Sequence, residues 1–253
     1  MIGSGHVATI LARKFVAAKH EIAQVFSQTE SHAKQLGSEC GCPFTSDLNM
    51  LETSATLYLV AVSDDAIPGL AKELSLPGKL VAHTAGAVSK DVFEGTHDLY
   101  GVLYPLQSLR KELLALPDIP ILVDGNNTDS TAALIDFAKT FSDQVETAGD
   151  EERLKLHLAG VVVNNFSNRL YSLAENFCKK EQVNFNLLRP LITETALRLQ
   201  WLSPTDAQTG PALRNDQETI LKHVELLRHY PELLEVYEVL TRSIINDHAY
   251  GDH

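Results

Sequence analysis

The sequence MIGSGHVATILARKF, residues 1–15, contains a glycine-rich turn that decides the fold of the first half of the chain. Residues 3–8 follow the pattern G-x-G-x-x-A, which joins the first strand of a dinucleotide-binding unit to its first helix. The first glycine permits a tight turn, the second lets a pyrophosphate approach the backbone, and the alanine allows close helix packing. The stretch therefore predicts a dinucleotide site at a helix N-terminus.

Only Met1 and Ile2 precede this turn, whereas a strand usually has about five or six residues. One alternative is a strand reduced to two residues. Because a central parallel strand pairs with neighbours on both sides, we instead expect the natural protein to extend upstream by a short apolar strand.

The composition excludes several function classes. With 44% hydrophobic and 21% charged residues, the 253-residue chain has the profile of a soluble globular protein. Its net charge of −12 disfavours a nucleic-acid partner, which needs a basic surface. No apolar run is long enough for a membrane span, and no signal peptide is evident. We expect a cytoplasmic protein with neither nucleic acid nor membrane as partner.

The three cysteines, Cys40, Cys42 and Cys178, are a poor basis for a disulfide framework because their number is odd. No second cysteine or histidine pair stands at a spacing that completes a tetrahedral metal site with Cys40 and Cys42. We expect reduced thiols and no bound metal.

The first half of the chain alternates apolar strand patterns with helix patterns. Strands are predicted at 21–28, 56–65, 79–86, 99–105 and 119–125, and helices at 7–20, 29–37, 66–75 and 130–142. Short apolar strands that alternate with helices indicate a mostly parallel sheet covered on both faces. Residues 1–148 are therefore predicted to form an α/β, Rossmann-type, doubly wound domain.

The end of the second strand bears on the choice between NAD and NADP. An NAD site usually has an acidic residue about 20 residues after the glycine turn, where it binds the ribose hydroxyls. Residues 26–29 read Phe-Ser-Gln-Thr, without a carboxylate and also without an arginine. Ser27, Gln28 and Thr29 favour NADP over NAD, and the alternative is that they form only a solvated turn.

The second half is helical. Helix patterns cover 150–182, 185–202, 215–230 and 231–246, with Pro190 bending or beginning the second of them and Pro231 in a first helical position. Asp150 is a plausible N-cap of the first. Residues 149–253 are therefore predicted to form an all-α substrate and dimerisation domain.

One face of the long first helix of this half is unusually polar. At 100° per residue, His157, Asn164, Asn168 and Glu175 share one side, with Asn165 at its edge. Asparagine is a poor residue for the middle of a helix. The face could be exposed to solvent, could pair with another helix through its amides, or could line a cleft below a nicotinamide.

Six motifs occur in an order that resembles a known family: IGSGHVA, VSDDAI, HTAG, YPLQS, HLAGVVVNNF and TGPALRND. The chain resembles bacterial proteins that join a Rossmann-like NADP-binding domain to a helical domain of unknown function. These are described as NADP oxidoreductases of the deazaflavin-dependent type and are distant relatives of pyrroline-5-carboxylate, ketopantoate and hydroxyisobutyrate reductases. The resemblance spans essentially the whole chain and implies a homodimer, often formed through the helical domain.

The resemblance implies a set of cofactor-binding positions at four turns. They are Gly3, Ser4, Gly5, His6 and Val7 in the glycine turn, Ser27 and Gln28 where the family has Ser-Arg, Ser63 and Asp64 beside the ribose, and His83 and Thr84 beside the nicotinamide. The alternatives are a helix cap for Ser63 and Asp64 and a buried, satisfied side chain for His83.

The catalytic residues implied are His157 and Asn165 of the helix motif and Arg214 of the last motif, which also contains Asp216. We expect His157 to donate a proton, Asn165 to orient the substrate and Arg214 to hold an anionic substrate group. Their alternatives are a helix-start histidine, an interface amide and an ion pair with Asp216.

Two departures from the family bear on the chemistry. Tyr104 stands where many members have histidine before proline, so a proton donor there would be a phenol, and Val161 stands where hydroxyacid dehydrogenase relatives have a lysine. Two functions are therefore open. One is an NADP-dependent reductase of a small carbonyl or imine, and the other is a non-catalytic NADP-binding or sensing protein.

Overall fold

The strands of the protein follow the apolar segments of the first half. A computed structural model describes residues 1–112 and 115–250, without the side chains of 248–250. The strands are β1 (Val25–Phe26), β2 (Phe44–Thr45), β3 (Leu57–Val60), β4 (Leu80–His83), β5 (Leu99–Pro105), β6 (Ile121–Gly125) and β7 (Val145–Thr147). The sequence pattern does not predict β2 and β7, which have only two and three residues, and it predicts β1 to be longer than it is.

The helices of the first half alternate with these strands, and those of the second half come after the last strand in the chain. They are α1 (His6–Ala17), α2 (Glu30–Cys40), α3 (Ile67–Glu73), α4 (Thr128–Ala138), α5 (Asp150–Gly160), α6 (Ser167–Lys180), α7 (Arg189–Arg198), α8 (Gln217–Leu227) and α9 (Pro231–Tyr250). Pro231 is the first residue of α9, as predicted, because its fixed φ suits that position.

The strands form a mostly parallel sheet. β1 pairs with β2, and β3, β4 and β5 pair in sequence, all in parallel. Ile2 bridges Phe26 and Val60 in parallel, so it stands between β1 and β3. β6 is antiparallel to β5, and β7 is parallel to β6. The predicted Rossmann-type α/β class, followed by a helical region, is confirmed.

The core lies on both faces of the sheet. On one face, Leu11 of α1 and Leu134 of α4 are fully buried with strand residues such as Leu103. On the other, Ile67 of α3 packs with Val81 and their neighbours. Each such side chain contributes roughly 1.5–3 kcal/mol through burial. The packing of helices on both faces of the sheet holds the carboxyl ends of the parallel strands in fixed positions.

The predicted long helix at 150–182 is continuous, but it contains a π-helical segment, Val161–Phe166, between α5 and α6. The prediction of Asp150 as N-cap is wrong: Gly149 holds that position and Asp150 is the first helical residue. Its carboxylate accepts hydrogen bonds from the Lys90 backbone and from Arg153 instead. The sequence pattern could not show these partners because Lys90 comes from a distant loop.

The chain divides into two compact units, Met1–Asn164 and Asn165–His253. The change from α/β to helical structure occurs between β7 and α5, near the predicted position. The domain division at residue 148 stays a prediction. In the described ranges, each helix is either too short or too polar to cross a lipid bilayer.

Candidate cofactor and proton-transfer site

The glycine turn has the geometry that its sequence requires. Gly3 adopts φ +119°, and a Cβ added there would lie 2.1 Å from the carbonyl oxygen of Ala61, so a side chain cannot be accommodated. Gly5 is exposed, and a Cβ added there would meet no atom within 4 Å. Ala8 is fully buried. The turn therefore packs tightly against the sheet and stays open on its outer side.

The first turn of α1 is suited to bind an anion. Gly5 is the N-cap, and this first turn has no side-chain cap and no acidic residue. The helix dipole and the free amides at this end therefore remain available to a negative group. Val7 is half-buried, and His6 Nδ1 accepts a hydrogen bond from the Lys111 backbone at 3.2 Å. An acidic protein can bind a phosphate here without a basic surface.

The end of β1 lies beside the glycine turn. The Ser4 hydroxyl donates to the Ser27 hydroxyl at 2.8 Å, and Gln28 next to it is exposed. A pocket of about 230 Å³ begins at Ser4 and is also lined by Arg13, His32 and other residues. The turn and the segment predicted to select the cofactor thus belong to one surface.

Sequence reasoning missed the polar and charged side chains that line this pocket. Arg13 comes from α1, His32 from the first turn of α2, and Lys111 from the loop after β5. Arg13 is paired with Glu39 and also donates to the Lys111 carbonyl at 2.8 Å. The arginine expected after Ser27 is absent from the sequence. Tertiary packing places Arg13 and Lys111 in the pocket beside Ser4, together with the carboxylates of Glu39 and Glu112.

Ser63 and Asp64 follow β3 and are exposed at the start of a short 3₁₀ turn, Asp64–Ala66. The Ser63 side chain makes no capping hydrogen bond. Ser63 therefore holds the N-cap position of this turn, as the helix-cap alternative describes, but without a capping side chain. Both side chains are free to face a ligand at this edge of the sheet.

His83, the last residue of β4, is fully buried. Its Nε2–H donates to the Ser89 carbonyl and its Nδ1 accepts from the Ala85 amide, each at 3.2 Å. Burial lowers the pKa of this imidazole to about 4. The adjacent Thr84 is also buried. The ring therefore stays neutral and has no nitrogen left for a ligand, as the satisfied-histidine alternative describes.

Tyr104 and His157 form a hydrogen-bonded pair at this edge. The Tyr104 hydroxyl and His157 Nδ1 share a hydrogen bond of 3.0 Å, and both residues are half-buried. Gly86 packs against the pair, since a Cβ added there would lie 2.8 Å from His157 Nδ1 and 3.0 Å from Tyr104 Cζ. The loop after β4 thus fits the pair only because residue 86 is a glycine.

The phenol of Tyr104 remains protonated at neutral pH. Burial, followed by the negative charge of Asp64, raises its pKa above the ordinary value, while the charge of Arg153 acts in the opposite direction. Tyr104 lies in β5 and Asp64 follows β3, so the carboxyl ends of two strands meet here. The Tyr104 hydroxyl therefore keeps its proton at neutral pH.

Asn165 and Arg214 belong to the second unit. Asn165 is exposed in the π-helical segment, a feature often found at functional sites. Arg214 is exposed before α8, and Asp216 caps that helix by accepting from the Thr219 amide at 3.1 Å. Among the described residues, Arg214 and Asp216 form no ion pair within 4 Å. Convergence of both residues with His157 stays a prediction.

Comparisons with known proteins show the family of this chain. A family described as "NADP oxidoreductase coenzyme F420-dependent" matches residues 1–85, and a domain of unknown function, DUF2520, matches residues 119–244. Proteins of curated function give no match. The crystal structure of a candidate NADP oxidoreductase of Bacteroides fragilis, BF3122, is 38% identical, with a TM-score of 0.89, and the match covers 97% of this chain and 96% of that one.

Two more distant structures share the fold. A reductive aminase of Aspergillus terreus, solved with NADPH and ethyl-5-oxohexanoate, has 16% identity and a TM-score of 0.70, with 97% of this chain and 92% of that chain covered. A 1-pyrroline-5-carboxylate reductase of Streptococcus pyogenes has 13% identity and a TM-score of 0.64, with 97% and 96% covered.

The predicted resemblance, the prediction of an oxidoreductase and the prediction of NADP as cofactor are confirmed by these matches. The likeness to the Bacteroides protein extends over nearly the whole of both chains. The chain belongs to the family of NADP oxidoreductases that join an F420-dependent-type nucleotide-binding domain to a C-terminal DUF2520 domain.

Proposed function

We propose that the protein reduces a small carbonyl or imine substrate with NADPH and that Tyr104 donates the proton. The observation that carries this proposal is the hydrogen-bonded pair of Tyr104 and His157, 3.0 Å apart at the strand edge that also carries the glycine turn. A neutral phenol bonded to an imidazole is a suitable donor to a developing alkoxide or amine. The finding that structures of the same fold include a reductive aminase and a pyrroline-carboxylate reductase supports this substrate class.

The residues present fit the cofactor. The open space at Gly5, the uncapped N-terminus of α1 and the hydroxyl groups of Ser4 and Ser27 suit a pyrophosphate and a phosphorylated ribose. When bound, NADPH supplies the hydride. The glycine turn would hold the pyrophosphate, and Ser63, Asp64 and the loop after β4 would border the ribose and nicotinamide.

Side chains of the protein would supply the proton that the reduction needs. Tyr104 would donate its hydroxyl proton to the substrate, which leaves a phenolate. His157 would return a proton to the phenolate oxygen through Nδ1 and take up a proton from solvent at Nε2. In this proposal His157 acts behind Tyr104 as a proton relay. Asn165 would orient the substrate and Arg214 would hold an anionic group, as the sequence predicts.

We further propose that the protein is a homodimer formed through its second unit. That unit exposes large apolar side chains, and such surfaces in soluble proteins usually contact a partner. They include Phe166 (57% exposed), Leu187 (75%), Leu191 (59%), Trp201 (83%) and Leu221 (66%). A cytoplasmic location stays a prediction from the sequence.

Tyr104→Phe tests the proposal, with Tyr171→Phe, at an exposed position, as the matched control. NADPH oxidation would be followed against a panel of small keto acids, ketones and imines. We expect Tyr104→Phe to lower kcat/KM by about 10²–10⁴-fold while NADPH affinity, measured by calorimetry, is unchanged. Full activity of Tyr104→Phe would contradict the role of the phenol, and NADPH binding without turnover of any substrate would favour the sensing function.

A further inference from the structure

A fully buried arginine lies behind the proposed proton-donating pair. Arg153, the fourth residue of α5, is only 1% exposed. Its Nη2 donates to the Val88 carbonyl and to the Asp150 carboxylate, each at 2.6 Å. A buried arginine is costly because its charge leaves water. Neither the family resemblance nor the helix pattern pointed to this residue.

The hydrogen bonding of Arg153 is incomplete. In the described part of the chain, its Nε and Nη1 are buried and have no hydrogen-bond partner. Replacement of a buried ion pair by apolar residues is often neutral or stabilising. Fold stability alone therefore poorly explains the presence of Arg153, and the residues that it contacts suggest a role in holding a loop.

These neighbours belong to the loop after β4. The loop leaves β4 at His83, whose Nε2–H donates to the Ser89 carbonyl. The next two contacts come from α5: Arg153 binds the Val88 carbonyl, and Asp150 accepts from the Lys90 amide at 3.2 Å. Three consecutive residues, 88–90, are thus each held by a different side chain. Arg153 and Asp150 fasten this loop to the start of α5.

The same loop packs against the proton-donating pair. Gly86 lies in its middle, in contact with both His157 and Tyr104. His157 is one helical turn after Arg153 on α5, so the clamp and the pair share one helix. A displacement of residues 84–89 would therefore change the space available to the Tyr104 hydroxyl.

Resting on the function proposed above, we infer that Arg153 is a positioning residue that clamps loop 84–90 to α5 and so fixes the Tyr104–His157 pair. The titratable groups that face its charge are His83 at the end of β4, Tyr104 in β5 and Asp150 in its own helix. Tyr104 is additionally faced by Asp64 and His157. The positive charge of Arg153 supports the acidity of Tyr104, because it offsets part of the effect of burial and of Asp64.

The test compares three variants of the full chain, without a substrate. Arg153→Met removes the positive charge and the hydrogen-bond donors. Arg153→Lys keeps the charge but loses the planar set of guanidinium donors. Lys155→Met, at an exposed position of the same helix, is the control. Phenolate absorbance, after subtraction of the Tyr104→Phe curve in the same background, reports the Tyr104 pKa. Amide hydrogen exchange reports the loop.

We expect Arg153→Met to raise the Tyr104 pKa and to speed exchange at the Lys90 amide about tenfold or more relative to the average of the sheet. Arg153→Lys should speed the same exchange but largely keep the Tyr104 pKa, and Lys155→Met should change neither. If Arg153→Met folds and its Tyr104 pKa equals that of the wild-type chain, the inference is overturned. If that variant does not fold, normal protection of Lys90 in Arg153→Lys overturns it. Neither readout depends on turnover, so the inference can fail while the proposed reductase stands.

Discussion

At the scale of single residues, the two glycines of the first turn have different physical roles. Gly3 has a positive φ and no room for a Cβ, whereas Gly5 has an ordinary φ of −74° and open space beside it. One glycine is required by the fold and the other, in our interpretation, by the cofactor. Substitutions can separate these roles.

We predict that Gly5→Val leaves the free energy of unfolding within about 1 kcal/mol of wild type but abolishes NADPH binding, because the side chain would occupy the path of the pyrophosphate. Gly3→Ala should instead destabilise the fold by several kcal/mol, since its Cβ would overlap the Ala61 carbonyl. Urea unfolding and calorimetric titration with NADPH measure the two effects. Tight NADPH binding by Gly5→Val would refute the assignment of the turn.

At the scale of elements, the end of β4 and its loop depend on a neutral histidine. Protonation of His83 would turn Nδ1 into a donor facing the Ala85 amide, which is also a donor. The folded pKa of about 4 is below the ordinary 6.5. The contribution of neutral His83 to the free energy of unfolding is therefore fully present above pH 6.5 and is lost as the pH falls through about 4.

We predict that acid lowers the free energy of unfolding partly through this residue. The pKa difference corresponds to roughly 3 kcal/mol at about 1.4 kcal/mol per pH unit. His83→Gln should be less stable than wild type near neutral pH but should lose roughly 2–3 kcal/mol less on acidification to about pH 4.5. The exposed His32→Gln is the control. Parallel pH dependences of His83→Gln and wild type in urea unfolding would show that His83 does not carry this effect.

At the scale of the whole molecule, the exposed apolar side chains of the second unit predict association. We expect the full chain to sediment at twice the mass of one chain. Phe166→Glu combined with Leu191→Glu should shift it to the monomer without loss of helical circular dichroism, because both residues are exposed in the single chain. Lys179→Glu, at an exposed polar position, is the control. A wild-type monomer at all concentrations would contradict the proposed dimer.

The sequence by itself determined the fold class, the glycine turn and the order of the large elements, because these depend on local features. A G-x-G-x-x-A turn followed by period-3.6 and buried-strand patterns leaves few alternatives. Pro231 at the start of α9 is another local signal that was sufficient. The short strands β2 and β7 carry too few residues for a pattern, and their pairing depends on neighbours distant in the chain.

Only the tertiary structure decided which side chains meet at the site. Tyr104 and His157 are 53 residues apart in sequence, yet they share a hydrogen bond, and Gly86 is needed beside them. Nothing in the helix pattern distinguishes Arg153 from the other charged residues of α5. Its charge is buried only because α5 packs against the loop after β4. Hydrophobic periodicity specifies which face of an element is covered, but not which polar group from another element is covered with it. The hydrogen-bonded pair and the contacts of Arg153 are therefore products of three-dimensional packing.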